Sequence, residues 1–148
     1  MSTVQPIHTV QPNHFDVIVI GTGPGGEGAA MQAAKEGKRV AIFERHSRIG
    51  GGCTHWGTIP SKSLRFSIYS MMEALNNPVV QQLGKRPSPT LAQLRESSRA
   101  IINKQEAMRQ SFYDRNQVPV IPGQASFVDE HTIELEDGAQ YHADHFVI

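Results

Sequence analysis

Gly21, Gly23 and Gly26 follow an apolar run, Val17-Ile18-Val19-Ile20, with nothing between the run and the first glycine. Glycines so spaced fit a dinucleotide fingerprint. The first permits a tight strand-to-helix turn, the second lets backbone approach a pyrophosphate, and the third allows close packing of helix on strand. A diphosphate would rest on free amides at the positive end of the helix, beside Pro24 and Gly25. Glu44 stands 18 positions after Gly26, at the end of a second apolar run. A carboxylate there accepts hydrogen bonds from a ribose diol and repels a 2′-phosphate. The fingerprint offers a site for ADP and so does not separate NAD from FAD.

A second segment, Gly50-Gly51-Gly52-Cys53-Thr54-His55-Trp56-Gly57-Thr58-Ile59-Pro60-Ser61-Lys62, adds a thiol, a hydroxyl and an amine. Simpler readings stand beside the chemical ones. Cys53 has no partner thiol and reads first as a small buried residue. Lys62 also fits a helix surface, and Trp56 a core position. His55 has no ligand at metal spacing, and His142, Asp144 and His145 fit a strand end better than a zinc site. No metal is expected.

The elements that must position these residues follow from periodicity. Phe15 to Ile20 reads as a strand buried on both faces, Gly25 to Gly37 as an Ala-rich helix, and Arg39 to Phe43 as a second strand. This βαβ opening predicts a doubly wound α/β domain with a parallel sheet. Ser61 to Leu75 has Leu64, Ile68, Met71, Met72 and Leu75 at helical spacing. Asn76-Asn77-Pro78 stops it, and Pro78 to Pro89 reads as a connecting loop. Thr90 with Gln93 forms a capping box for a long helix striped by Leu91, Leu94, Ile101, Met108 and Phe112. Four short strands follow, Val118 to Ile121, Gln124 to Val128, Thr132 to Glu136 and Ala139 to His142. Asp137-Gly138 gives a hairpin signal between the last two. They predict a small antiparallel β meander added to the parallel sheet, before a further apolar run, Phe146 to Ile148.

Bulk properties narrow the partners. The 148 residues carry 14 basic and 14 acidic side chains, for a formal charge of zero, so no nucleic acid or anionic membrane is indicated. The basic stretch from Lys85 through Arg109 to Arg115 interleaves with polar residues and reads as a solvated helix face. No run approaches the ~20 apolar residues of a membrane span. Residues 1–13 read as a loose tail rather than a targeting signal. A single cysteine, which allows no intramolecular disulfide, suits a reducing compartment, and a cytoplasmic protein is expected.

The Gly50 to Lys62 segment resembles the motif of the flavin disulfide reductases, the family of dihydrolipoamide dehydrogenase, glutathione reductase and mercuric reductase. That motif has two cysteines separated by four intervening residues, then a hydrophobic residue, Pro, Ser or Lys, and Lys. Here Cys53 matches the first, Thr58 stands in place of the second, and Ile59-Pro60-Ser61-Lys62 follows intact. A threonine hydroxyl forms no disulfide, so disulfide reduction is excluded at that position. The exchange, with Gly21 to Ala30, His55 to Gly57, Met108 to Tyr113 and Phe127 to Thr132, resembles the branch that exchanges hydride between pyridine nucleotides.

The resemblance implies a Rossmann-like FAD-binding domain over residues 14–148, bound FAD, and transfer of hydride from NADPH to NAD⁺ by a ping-pong cycle. By position, Gly21 to Gly26 would hold the diphosphate and Glu44 the ribose. The stretch from Glu44 through Arg45, Gly51 and Gly52 to Cys53 would wrap the cofactor, and Gly123-Gln124-Ala125 would meet the adenine. Thr58 and Lys62, with Cys53, would stand at the flavin. The resemblance further implies that the NAD(P)-binding and dimerisation domains are absent from these residues, that the complete protein is a homo-oligomer, and that this chain alone does not turn over. Two alternatives remain: a non-catalytic FAD- or ADP-binding fragment, and a dihydrolipoamide dehydrogenase-like flavin oxidoreductase lacking the redox disulfide.

Overall fold

The computed structural model describes residues 13–84 and 88–148. The expected tail lies outside the described residues except for Asn13, as do Lys85 and Arg86 of the basic stretch. Asn13 itself is tied to the last strand. Its carbonyl accepts from the His142 N–H at 2.9 Å, and its side-chain amide donates to the Gln140 carbonyl at 3.1 Å.

The first strand, β1 (His14–Ile20), leads through the glycine turn into α1 (Pro24–Lys35), and β2 (Val40–Glu44) returns parallel to β1. Pro24 opens α1 at the position where its missing N–H costs nothing. The Gly50 to Lys62 segment, expected to begin as a loop, holds the short α2 (Gly51–His55) and the start of α3 (Thr58–Asn76). The loop expected from Pro78 contains another short helix, α4 (Pro78–Gln82), because the Asn77 side chain that ends α3 accepts the Val79 N–H at 2.9 Å and caps the next turn. The capping box of Thr90 and Gln93 is present at the start of α5 (Leu91–Arg115).

Four strands complete the sheet: β3 (Val120–Pro122), β4 (Ala125–Asp129), β5 (Thr132–Leu135) and β6 (Gln140–Val147). The short strand expected from Ala139 to His142 and the apolar run expected from Phe146 belong to one strand, β6. Along β6, Gln140 to His142 pair antiparallel with β5, while His142 to Val147 run parallel to β1. The sheet order is β3-β2-β1-β6-β5-β4. Its two edge strands, β3 and β4, are joined by only Gly123 and Gln124. Three Cα–Cα steps span at most about 11 Å, whereas six strands laid flat spread over roughly 24 Å. The sheet therefore curls until its edges approach.

Alternation along the strands sorts side chains onto two faces. Val19, Val40 and Ile42 join Ala30 of α1, Tyr113 of α5 and Ile49 on one face. Ile18, Ala41 and Phe43 face the other way, onto Ile133, Leu135 and Ala143 of the curled strands, with Tyr141 edge-on to Phe43. Strands thus cover the second face, where a doubly wound domain has helices. Ile18, Val19, Ile42 and Phe43 are at most 1% exposed, and each such burial contributes about 1.5–3 kcal/mol.

The helical stripes differ from expectation. On α5 the buried line is Ser98, Ile102, Arg109 and Tyr113, with Leu91, Ile101 and Met108 exposed. Arg109, read as part of a solvated face, is inside. On α3 only Ser63 is buried, while Ile68 and Met72 are exposed.

Candidate functional site

The carboxyl ends of β1 and β2, the glycine turn, the start of α2 and the Gly123-Gln124 link enclose a cleft of about 520 Å³. This is the end of a parallel α/β sheet at which ligands bind. Gly21 and Gly23 line it from the turn, Glu44 and Arg45 from β2 and just beyond, Gly51 and Gly52 from α2, and Gly123, Gln124 and Ala125 from the link and β4. Segments remote in sequence thus meet around one space.

Two close approaches explain glycines in this wall. A Cβ at Gly26 would stand 2.2 Å from the Gly21 carbonyl oxygen, so the helix reaches the turn only if residue 26 is bare. Gly51 has φ +63°, and a Cβ there would stand 2.8 Å from the Gly23 Cα, so two backbones touch across the cleft's floor.

Glu44 holds three segments together. Its Oε2 accepts from the Thr22 N–H at 2.9 Å and from the Thr22 hydroxyl, and its Oε1 accepts from the His46 N–H at 2.9 Å. Thr22 Oγ1 in turn accepts from the Gly50 N–H at 2.8 Å, and the Glu44 carbonyl accepts from the Gly123 N–H at 3.0 Å. Burial opposes the charge on Glu44. The hydrogen bonds from the Thr22 hydroxyl, the His46 N–H and the Thr22 N–H outweigh it and hold the carboxyl below its ordinary range. Two oxygens offer about four acceptor sites, so the carboxylate retains acceptor capacity toward the cleft.

Behind the wall, the loop after β2 is clamped to α5. The Arg48 guanidinium donates to Glu106 at 2.9 Å through Nε and to Asn103 at 2.8 Å. Trp56, which also fitted a core position, is 65% exposed, lines the cleft and meets the His46 ring edge-on with centroids 4.8 Å apart.

Several expected site residues stand elsewhere. Pro24, Gly25 and Gly26 form the first turn of α1 behind the rim. Cys53 is half-buried on α2, and Thr58 and Lys62 are exposed on the first turns of α3. None of these three lines the cleft, and Lys62 borders a shallow surface groove with Arg65, Phe66 and Tyr69. Ile20 and Phe43 line the cleft from outside the stretches expected there, whereas Thr22, His46 and Trp56 line it from within those stretches without having been given a role of their own. Thr22 had one available signal, a hydroxyl between two loop glycines. Phe43 and His46 had only their position beside Glu44.

The residues present fit an adenine dinucleotide. A Cβ at Gly23 would meet no protein atom within 4 Å, so packing does not require glycine there. The bare position leaves the backbone open to a ligand at the start of a twelve-residue helix. Among the described residues, no three His, Cys, Asp or Glu side chains group so as to hold a metal, and no helix is long and apolar enough to cross a membrane.

Residues 15–148 match the family described as pyridine nucleotide-disulphide oxidoreductase. A soluble pyridine nucleotide transhydrogenase of Vibrio cholerae is 51% identical over 142 residues, 93% of this chain and 30% of that protein. Those of Photobacterium profundum and Colwellia psychrerythraea are 47% and 53% identical, over 93% and 82% of this chain. The chain thus spans about 30% of the length of the curated relatives it matches. Among solved structures, the HOCl-induced flavoprotein disulfide reductase RclA of Escherichia coli superposes with a TM-score of 0.71 over 90% of this chain and 27% of that one. At 22% identity that likeness speaks for the fold alone.

Proposed function

The chain belongs to the pyridine nucleotide-disulphide oxidoreductase family, and on that premise we propose that it is the FAD-binding part of a transhydrogenase. FAD, when bound, would supply the ping-pong exchange of hydride between NADPH and NAD⁺ in the whole protein. The chain's own residues bind and orient. Within the Gly21 to Gly26 turn, Gly21 donates to Phe43, Thr22 donates to Glu44 and Pro24 has no N–H. The N–H groups of Gly23, Gly25 and Gly26 therefore hold the diphosphate, and the remaining acceptor capacity of Glu44 takes the ribose diol. The Gly123-Gln124-Ala125 backbone meets the adenine, and Arg45, Gly51, Gly52 and Cys53 flank the cofactor. Thr58 and Lys62, at the start of α3, stand toward the flavin by family position.

The observation that carries this reading is Thr58, five positions beyond Cys53. With no second thiol, the chain has no disulfide to relay electrons, which disfavours a dihydrolipoamide dehydrogenase-like activity. NADPH and NAD⁺ as substrates, a homo-oligomer and a cytoplasmic location are expectations for the whole protein. A non-catalytic FAD- or ADP-binding module is the second reading, favoured by a cleft lined by the glycine turn and Glu44 and by none of Cys53, Thr58 and Lys62.

The test is a chimera in which this chain replaces the region it matches in the Vibrio cholerae relative. It is expected to move hydride from NADPH to a nicotinamide acceptor and to leave lipoamide and glutathione disulfide untouched. Disulfide turnover would contradict the proposal, and flavin binding without any hydride transfer would favour the module.

A further inference from the structure

Behind the glycine loop the buried Arg109 pairs with the half-buried Glu27, and neither lines the cleft. Arg109 of α5 is 9% exposed, and its Nε stands 2.7 Å from Glu27 Oε2. Its Nη1 donates to Gln105, to the carbonyl at 3.2 Å and to the side-chain oxygen at 3.0 Å. Glu27 sits in the first turn of α1. Its N–H donates to the carbonyl of Gly23, the glycine at the cleft, at 2.9 Å. Tyr113, one turn along α5 from Arg109, is fully buried with no hydrogen-bond partner for its hydroxyl. Burial pushes that phenol up to about 12, the charge of Glu27 adds to the rise, Arg109 opposes it, and Glu44 adds again. The Tyr113 ring joins the pair to the core of Val19, Ala30 and Ile42 between α1 and the sheet.

A carboxylate in the first turn suits the helix dipole when nothing else is there. A diphosphate arriving at the same helix end competes with it, because two anions cannot both use one positive pole without mutual repulsion. Arg109 alters that balance, since it offsets the Glu27 charge without itself lining the cleft. Exposed arginines on the same helix cannot do so, because solvent screens them.

We propose that Arg109 is a positioning residue for anion binding at the glycine loop, neutralising Glu27 so that the start of α1 accepts the diphosphate of an adenine dinucleotide. This rests on the FAD-binding reading. It also assigns a purpose to a partly buried ion pair that stability alone does not require, since such pairs often contribute little net stability.

The test compares FAD with adenosine, which carries the same base and ribose without phosphate, on the 148-residue chain and three variants. Arg109→Met is expected to weaken FAD about tenfold, the scale of one uncompensated charge near a dianion, and to leave adenosine unchanged. Glu27→Gln is expected to bind FAD a few-fold more tightly than the parent. The double variant E27Q/R109M, with both charges gone, is expected to return to within about threefold of the parent. Equal FAD affinity in parent and Arg109→Met would overturn the proposal. So would parallel losses for FAD and adenosine, which mark a simple brace. If Arg109→Met does not fold, Glu27→Gln decides, and unchanged or weaker FAD binding overturns the proposal. A folded parent that binds no FAD would instead sink the FAD reading, and this inference with it.

Discussion

Glu44 has two jobs, and they make opposite demands on it. As a structural acceptor it ties Thr22 and His46 to the end of β2, and as a ligand for a ribose it must keep a lone pair free. Its carboxyl is held below its ordinary value of 4.5. The stabilisation is therefore present above that pH and lost as pH falls through the lower, folded-state value. The ligand-free chain is expected to lose stability below about pH 4.5. Glu44→Gln should flatten that dependence in thermal melts while costing on the order of 1–3 kcal/mol near neutrality, the scale of disrupted buried hydrogen bonds. Tyr113 gives the opposite sign. Its phenol is raised from 10.0 to about 12, so its contribution is complete below pH 10 and is lost between pH 10 and 12. Tyr113→Phe should remove that alkaline step and leave FAD binding unchanged. A Phe variant that still loses stability over that window would place the alkaline sensitivity elsewhere. Gly26→Ala belongs to this scale too. With a Cβ only 2.2 Å from a carbonyl oxygen, the turn must open, and FAD binding should fall below detection.

At the scale of elements, α5 is a brace behind the cleft. It holds the loop after β2 through Arg48 and α1 through Arg109, while its own start is fixed by the Thr90 and Gln93 box. Thr90→Ala is expected to cost about 1 kcal/mol in urea unfolding without changing FAD affinity, since the cap lies far along the helix from Arg109. The opening βαβ unit was legible in sequence because glycine spacing and an unbroken apolar strand leave few alternatives. The interior of α5 was not, because hydrophobic counting marks Leu91, Ile101 and Met108 and passes over Arg109. A buried arginine declares itself only through its partner, and Glu27 stands 82 positions earlier (109 − 27). Thr22 and His46 fell inside stretches expected at the cofactor, but their individual role was not legible for a related reason, since what they do is donate hydrogen bonds to Glu44, and no periodicity records that. Asn77 ends one helix and caps the next, so a stop signal concealed a start.

At the scale of the whole molecule, the curled sheet explains how Gly123 comes beside Glu44. The link between the two sheet edges is only two residues long, so closing the sheet places Gly123, Gln124 and Ala125 at the mouth of the glycine turn. The same arrangement leaves α3 with an apolar outer face, where Phe66, Tyr69 and Met72 are more than half exposed. Patches of this kind promote association. The chain is expected to self-associate as its concentration rises, and Phe66→Asp with Tyr69→Lys should reduce light scattering without weakening FAD. The central claim is that the cleft of β1, β2 and the Gly123 link is an FAD site. Its most direct test is an FAD titration of the folded 148-residue chain, followed by flavin absorbance and fluorescence and repeated with the Gly26→Ala variant. Saturable binding that the substitution abolishes is the predicted result. A folded chain that leaves the flavin signal unchanged, or a Gly26→Ala variant that binds as tightly as the parent, would contradict it.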